Sequence, residues 1–255
     1  MQDLKIGIVQ FDQKWEDKQS NFDRVQNLID STDVVDLLLL PEMFHTGFTM
    51  NVSLAETMVG DAATFLKLLA SKNSCAVYTS FICEENGQTF NRGVFVRPDG
   101  EFSVYDKRKS FCLGGEDQYF TAGLDETILT FKGWKFNLQI CYDLRFPELI
   151  RNRLVDAEPA YDVLLYVANW PSKRISHWDT LLKARAIENQ CYVIGCNRVG
   201  SDGNELSYNG HSQIIDMFGA ALLQEPQEQE GIFVVTMSAK ELKEGRKNLP
   251  FLRDA

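Results

Sequence analysis

Short runs of apolar residues recur along the chain, and most of them have the length of a β-strand. Several runs are apolar throughout instead of alternating with polar residues, and Val35 to Leu40 is the clearest case. A continuous apolar run indicates a strand that is covered on both faces of its sheet. The predicted strands span residues 4–11, 35–40, 75–82, 93–97, 102–105, 127–131, 135–141, 162–168, 191–197, 211–216 and 231–237.

Helical periodicity falls between some of these strands. The predicted helices span residues 18–30, 61–72, 145–154 and 175–189, with a short one at 238–247. In the fourth segment, Trp178, Leu182 and Ala186 recur at helical spacing and form one apolar side. Strands and helices alternate at both ends of the chain, which predicts an α/β layered fold with one large mixed sheet or two sheets. No repeat, linker or low-complexity tract divides residues 1–255, so a single domain is expected.

Charge and composition narrow the range of functions. The net charge is −10 at pH 7, so the surface should repel a phosphate backbone, and no nucleic acid is expected as a partner. The first residues lack the features of a signal peptide, and no apolar run approaches the roughly 18 residues of a membrane span. Six cysteines occur without a CxxC pair, beside only three histidines. We therefore expect no metal site and a reduced, cytoplasmic setting.

Cys141 stands at the end of a predicted strand, before a segment that is expected to begin a helix. A nucleophile at a sharp strand-to-helix turn is exposed, and adjacent backbone N–H groups can face an oxyanion. A cysteine thiol with a pKa of about 8.5 is only a few per cent thiolate at neutral pH, so it needs a base or a nearby cation. A buried structural cysteine is the alternative interpretation.

Two charged residues at other predicted strand ends are candidates for the base and the cation that would activate the Cys141 thiol. Glu42 follows the most apolar strand of the protein, where a carboxylate is removed from water and suits a general base, although it could also cap a loop. Lys107 follows the strand 102–105, and an ammonium beside a thiol favours the thiolate and later stabilises an oxyanion. Taken alone, the run of three basic residues from Lys107 to Lys109 is typical of a solvated turn, and no local feature distinguishes these two lysines.

Glu42, Lys107 and Cys141, in that order, resemble the catalytic residues of the nitrilase superfamily of carbon–nitrogen hydrolases. The surrounding sequence is similar to the family at residues 40–44, 105–108, 140–148, 168–171, 184–189 and 210–216. The stretch 177–200 resembles the ω-amidase branch, whose members deamidate 2-oxoglutaramate and 2-oxosuccinamate. The resemblance implies a four-layer α-β-β-α sandwich, usually dimerised, so a homodimer or larger homo-oligomer is expected.

The resemblance also implies a mechanism without metal or organic cofactor. Cys141 attacks the amide carbonyl while Glu42 takes its proton, and Lys107 with the backbone N–H of Tyr142 holds the oxyanion. Ammonia leaves, and water activated by Glu42 hydrolyses the thioester. Glu116 is placed as a second glutamate that orients Glu42, substrate or water.

Other aromatic and basic residues are candidates for binding the substrate. Phe44 and Trp170 are expected to wall the pocket, and Arg174 and Arg198 are candidates for binding a substrate carboxylate. Arg145 is expected to hold a neighbouring carboxylate, that of Asp143 or Glu148, in a structural role.

Three alternatives stay open at this level. The same fold hosts deaminated-glutathione amidases, N-carbamoyl amino acid amidases and nitrilases, and the chain departs from its relatives at Lys109-Ser110, where they carry a histidine–leucine pair. A non-catalytic binding protein could keep the fold. A papain-like cysteine protease would need a histidine partner for Cys141, and the candidates are His45, His177 and His211.

Overall fold

Two β-sheets packed face to face form the centre of the molecule. A computed structural model describes residues 1–30, 34–223 and 228–254. In these ranges the strands are β1 (Leu4–Gln10), β2 (Leu37–Leu39), β3 (Ala76–Glu85), β4 (Gln88–Val96), β5 (Phe102–Asp106), β6 (Ile128–Phe131), β7 (Trp134–Ile140), β8 (Leu154–Val155), β9 (Glu158–Pro159), β10 (Val163–Val167), β11 (Tyr192–Cys196), β12 (Val199–Ser201), β13 (Ser207–Asn209), β14 (Gln213–Ile215) and β15 (Gly231–Met237). All eleven strands that the apolar runs predict are present, with ends shifted by a few residues.

The first sheet has the strand order β15-β1-β2-β3-β4-β5, and the second has the order β14-β11-β10-β7-β6. Strands β1, β2 and β3 run parallel in the first sheet, as do β7, β10 and β11 in the second. The remaining pairs in both sheets are antiparallel. Two small hairpins, β8-β9 and β12-β13, lie outside the sheets.

Four helices cover the sheets: α1 (Lys18–Ile29), α2 (Asp61–Asn73), α3 (Ile175–Asn189) and α4 (Ala239–Asn248). Asp17 is the N-cap of helix α1, and its carboxylate accepts a hydrogen bond from the Ser20 backbone N–H. Helices α2 and α3 both end in a left-handed residue, Ser74 and Gln190, whose backbone N–H returns to the last turn. None of the helices in the described part of the chain is long and apolar enough to cross a membrane.

Three apolar clusters separate four layers. One cluster lies between the two sheets, one lies between the first sheet and helices α1 and α2, and one lies between the second sheet and α3. Successive strand residues point to opposite faces, so Leu37 and Leu39 of β2 face the other sheet, whereas Leu38 faces the helices. This double burial explains the uninterrupted apolar runs, and the expected four-layer α-β-β-α sandwich is confirmed.

The helix predicted over residues 145–154 is wrong. The chain instead makes two short 3₁₀ turns, Cys141–Arg145 and Pro147–Leu149, before it enters β8. Proline disfavours the α conformation in the residue before it, and Phe146 accordingly has a ψ of 86°. The consequence is a compact polar turn after β7, which keeps several side chains near Cys141.

Candidate active site

Four strands deliver polar residues to one edge of the sandwich. Glu42 follows β2 and Lys107 follows β5 in the first sheet, whereas Cys141 follows β7 and Asn169 follows β10 in the second. All four line one cavity of about 480 Å³. The carboxyl ends of neighbouring strands are natural sites for catalytic groups because the loops after them meet there.

Lys107 forms the centre of a buried ionic cluster. Its Nζ lies 2.9 Å from Glu42 Oε1 and 2.9 Å from both carboxylate oxygens of Glu116. The amide of Asn91 donates to Glu42 Oε1 at 2.8 Å and to Glu116 Oε1 at 3.1 Å. The three charged residues are at most 3% exposed, so two carboxylates share one ammonium away from water.

The protonation state of Lys107 follows from this geometry. Burial alone would lower the pKa of the ammonium, but the neighbouring carboxylates of Glu116 and Glu42 raise it above its ordinary value. Lys107 therefore remains a cation at physiological pH. Lys109, which the sequence does not distinguish from it, has a side chain that is 38% exposed and lies 3.9 Å from Glu148 at the surface. The structure thus brings Lys107, and not Lys109, into the cluster.

Cys141 occupies a sharp turn beside this cluster. Its φ of +44° is in the left-handed region, which costs a non-glycine residue about 1–2 kcal/mol. The strained turn places the side chain at the cavity, and this strand-to-turn geometry is similar to that of a nucleophile elbow. Burial raises the pKa of the Cys141 thiol, the Glu42 carboxylate raises it further, and Lys107 acts in the opposite direction. The resting side chain is therefore a thiol facing a carboxylate base.

Glu42 is held in place by three donors. Lys107 and Asn91 bind its Oε1, and the backbone N–H of Asn169 donates to its Oε2 at 2.9 Å. The Asn169 side chain also donates to the Glu42 carbonyl oxygen at 2.6 Å. Sequence reasoning missed both asparagines. The position of Asn169 after a strand end could have indicated a functional residue. Asn91 lies inside β4, where the sequence gives no such indication.

Aromatic side chains form much of the cavity wall, and two arginines add positive charge. Trp170, Arg174, Tyr142 and Arg145 line the cavity, together with residues that the sequence did not single out: Trp15, Phe48, Phe111, Tyr119 and Tyr208. The Arg145 guanidinium lies 4.6 Å from the centre of the Trp170 ring, and that of Arg174 lies 5.4 Å from the Phe111 ring. Among the described ion pairs, neither arginine is joined to a carboxylate.

Three expectations about individual residues need correction. Phe44 is fully buried in the cluster under α1 and α2, where its ring packs on Phe22, so it does not wall the cavity. Arg198 is fully buried, and its guanidinium donates to Asp12 Oδ1 and to three backbone carbonyls, so it is a structural residue and does not bind a carboxylate in the cavity. Arg145 lies in the cavity instead of pairing with Asp143.

None of the three histidines lines the cavity. His45 is buried against Glu56, with Nε2 3.3 Å from Oε1. His177 contacts Arg145, and His211 lies 3.0 Å from a carboxylate oxygen of Asp179. The structure therefore provides no histidine partner for Cys141, as a papain-like protease would require. Among the described residues there is also no group of three or more metal-ligating side chains.

Comparison with known proteins agrees with the fold and identifies the family. The carbon–nitrogen hydrolase family model matches residues 5–247. The omega-amidase YafV of Yersinia enterocolitica is 39% identical over 100% of this chain and 97% of its own length. The 2-oxoglutaramate amidase of Bacillus subtilis is 33% identical over 98% of this chain and 96% of its own length.

A solved structure is similarly close. The crystal structure of a CN-hydrolase superfamily protein from Xanthomonas campestris, with an arsenic adduct in its active site, superposes with a TM-score of 0.97. It is 39% identical and covers 100% of this chain and 98% of its own. The family match and full-length relatives of this identity show that the chain belongs to the carbon–nitrogen hydrolases of the nitrilase superfamily.

Proposed function

We propose that this amidohydrolase cleaves a small ω-amide with a free carboxylate, of the 2-oxoglutaramate or 2-oxosuccinamate class, through a thioester on Cys141. The observation that carries the proposal is the buried cluster of Glu42, Lys107 and Glu116 next to a thiol at the cavity surface. A general base, a fixed cation and a nucleophile are the groups that acyl transfer requires.

Acylation begins with a proton transfer. Glu42 accepts the thiol proton as the sulfur of Cys141 forms a bond to the amide carbonyl carbon, and the carbonyl oxygen becomes an oxyanion. The ammonium of Lys107 and the backbone N–H of Tyr142 stabilise that oxyanion. When the carbon–nitrogen bond breaks, Glu42 returns the proton to the leaving nitrogen and ammonia is released.

Deacylation reuses the same base. Glu42, ionised again, takes a proton from water as the water oxygen attacks the thioester carbonyl. The sulfur leaves and recovers that proton from Glu42, and the carboxylic acid product then ionises to a carboxylate in water. Glu116 and Asn91 hold Lys107 and Glu42 in one orientation through both half-reactions, because each of them binds a group that must not rotate away.

The two cavity arginines support a substrate with a carboxylate. Arg145 and Arg174 lie on aromatic faces in the cavity, where a guanidinium retains its hydrogen-bond donors for a ligand. The names of the Yersinia and Bacillus relatives agree with this substrate class. A nitrile or an N-carbamoyl amino acid remains the alternative substrate on the same fold.

Ammonia release from a substrate panel tests the proposal. The panel contains 2-oxoglutaramate, 2-oxosuccinamate, glutamine, a nitrile and an N-carbamoyl amino acid, with Cys141→Ala as the inactive control. We expect the 2-oxo ω-amides to have the highest kcat/KM. Turnover by Cys141→Ala would refute the nucleophile, and a strong preference for the nitrile would refute the substrate class.

Charge removal in the cavity tests the carboxylate subsite. Arg145→Gln and Arg174→Gln should each lower kcat/KM for 2-oxoglutaramate about tenfold or more, because a hydrogen bond to a charged group contributes about 1.5–3 kcal/mol. Pentanamide, which has no carboxylate, should be much less affected. Lys173→Gln, which removes the same charge from an exposed neighbour, is the matched control. Equal losses on both substrates would contradict the assignment.

We also propose that the protein works as a homodimer or larger homo-oligomer in the cytoplasm. The resemblance to the nitrilase superfamily supports the oligomer, and six free cysteines suit a reducing compartment. Light scattering at micromolar concentration would contradict the oligomer if it gave the 29.1 kDa mass of one chain.

A further inference from the structure

Asp143 is a buried carboxylate that the mechanism above does not use. Its side chain is 0% exposed, and it is not part of the cavity wall. Three donors bind it: the backbone N–H of Lys109 reaches Oδ1 at 3.0 Å, and the backbone N–H of Ile140 reaches Oδ2 at 3.0 Å. The phenol of Tyr105 also donates to Oδ2, at 2.8 Å.

These donors come from both sheets. Tyr105 and Lys109 lie two residues before and two residues after Lys107, at the end of β5 in the first sheet. Ile140 directly precedes Cys141, at the end of β7 in the second sheet. One carboxylate therefore connects the backbone on either side of the ammonium to the backbone next to the thiol.

We propose that Asp143 is a positioning residue that sets the separation between Lys107 and Cys141. The proposal rests on the proposed function, because it assumes that the two groups act together on an amide. The geometry matters for rate because a displacement of about 1 Å in a catalytic group can cost about a hundredfold. Lys107 and Cys141 belong to different sheets, and Asp143 joins the backbone beside one of them to the backbone beside the other.

The ionised form of Asp143 is the one that the donors require. A protonated carboxyl would present its own O–H to one of three donors and lose that hydrogen bond. Burial raises the pKa of Asp143 to about 6, while Lys107, the Ile140 N–H and Tyr105 act to lower it. Activity that depends on this carboxylate should therefore fall as the pH drops through about 6.

Stability should respond to pH in the opposite direction. Because the folded-state pKa of Asp143 is raised above the ordinary 3.8, its contribution to stability is largest below about pH 4 and is lost as the pH rises through about 6. Asp143 has titratable or charged neighbours on each element packed against it. They are Tyr78 of β3, Tyr166 of β10, Arg108, which donates to the Tyr105 hydroxyl, and Arg185 of α3, which donates to the carbonyl oxygen of Leu144. Burial raises the pKa of Tyr78 and that of Tyr166 well above the ordinary 10, so neither phenol ionises near pH 6.

The test compares two buried carboxylates. Asp143→Asn should lower kcat at least about tenfold with KM changed less than about threefold, and the remaining activity should lack the acid limb near pH 6. Asp162→Asn is the matched control. Asp162 is also buried, and it accepts hydrogen bonds from the Lys135 N–H at 3.0 Å and from Arg246 at 2.6 Å. Lys135 and Asp162 lie at the starts of β7 and β10, away from the strand ends that carry Cys141 and Asn169. It should keep the wild-type kcat and pH profile per folded molecule.

The proposal is overturned if folded Asp143→Asn keeps both the wild-type kcat and the acid limb, or if Asp162→Asn loses as much activity. If Asp143→Asn does not fold, Tyr105→Phe provides the test. It removes one donor to the ionised carboxylate, so it should raise the Asp143 pKa and move the acid limb to higher pH. An unmoved limb would overturn the proposal.

A second readout needs no substrate. The rate of Cys141 alkylation by iodoacetamide should show an inflection near pH 6 in the wild type that is absent from Asp143→Asn, and its presence in both proteins would count against the proposal. If the wild type hydrolyses no amide in the panel, the proposed function fails, while the alkylation comparison still decides whether Asp143 positions Lys107 against Cys141.

Discussion

Glu42→Gln and Lys107→Met remove opposite charges from one buried cluster, so they should change the pKa of Cys141 in opposite directions. Burial raises this pKa first, the Glu42 carboxylate raises it further, and the Lys107 ammonium lowers it. Neutralising Glu42 should therefore lower the pKa of the thiol, and removing the ammonium should raise it. Both variants should nevertheless be poor enzymes, because the proposed mechanism also needs Glu42 to accept a proton and Lys107 to stabilise the oxyanion.

The structure also predicts how much stability each variant loses. A glutamine at position 42 keeps one oxygen for Lys107 and Asn91, but its amide nitrogen then faces the backbone N–H of Asn169. One unsatisfied buried donor costs about 1–3 kcal/mol. Lys107→Met instead leaves two buried carboxylates without their cation, and removal of one partner of a buried ion pair costs about 3–5 kcal/mol. Lys107→Met should therefore be the less stable variant in urea unfolding.

Catalytic activity should fall in both Glu42→Gln and Lys107→Met. A positioned general base contributes about 10²–10⁴-fold, and one oxyanion donor contributes about 10²–10³-fold. Each variant should lose at least about a hundredfold in kcat/KM, which corresponds to about 2.7 kcal/mol of transition-state stabilisation. The comparison of kcat/KM is made per folded molecule, so that the stability loss of Lys107→Met is not counted as a catalytic loss.

The assay is the pH dependence of Cys141 alkylation, followed by peptide mass mapping in wild type and variants. Lys109→Met is the matched control, because it removes an equal charge from a partly exposed side chain in the same loop. The reasoning is refuted if Lys107→Met leaves the profile in place while Lys109→Met moves it to higher pH, or if Glu42→Gln moves the profile to higher pH.

Three further predictions concern thiols, a buried arginine and a helix cap. Iodoacetamide at pH 8 should modify exposed Cys112 as well as Cys141, but only the modification of Cys141 should remove activity. An inactive Cys112→Ser variant would contradict this prediction. Arg198→Met should cost about 1–3 kcal/mol of stability, since it leaves buried carbonyl oxygens without their donor, yet keep kcat/KM per folded molecule. A raised KM at full stability would restore a substrate role. Asp17→Ala should lower the thermal unfolding temperature by removing the α1 cap, and an unchanged temperature would contradict that role.

Sequence alone determined the layered architecture, because burial leaves a direct trace in the order of residues. A strand covered on both faces, such as β2 or β10, must be apolar at every position, and apolar runs of strand length predicted the eleven strands of the two large sheets. Pattern also placed Glu42, Lys107 and Cys141 at strand ends, where the resemblance to the nitrilase superfamily assigned their roles. The helix predicted over 145–154 was wrong because local periodicity there was outweighed by the effect of Pro147 on its neighbour.

Only the tertiary structure decided which polar groups meet. Lys107 and Lys109 are equivalent in sequence, and they differ because one points between two carboxylates and the other points to solvent. Arg198 was a candidate for binding the substrate carboxylate and is a buried structural residue. Arg145 was expected to be structural, and it lines the cavity. Hydrogen bonds and ion pairs act over about 3 Å between groups from different strands. Separation along the chain does not record such distances, so the partners of these residues are known only from the folded structure, in which Glu42 and Glu116 meet Lys107 and Asp12 meets Arg198.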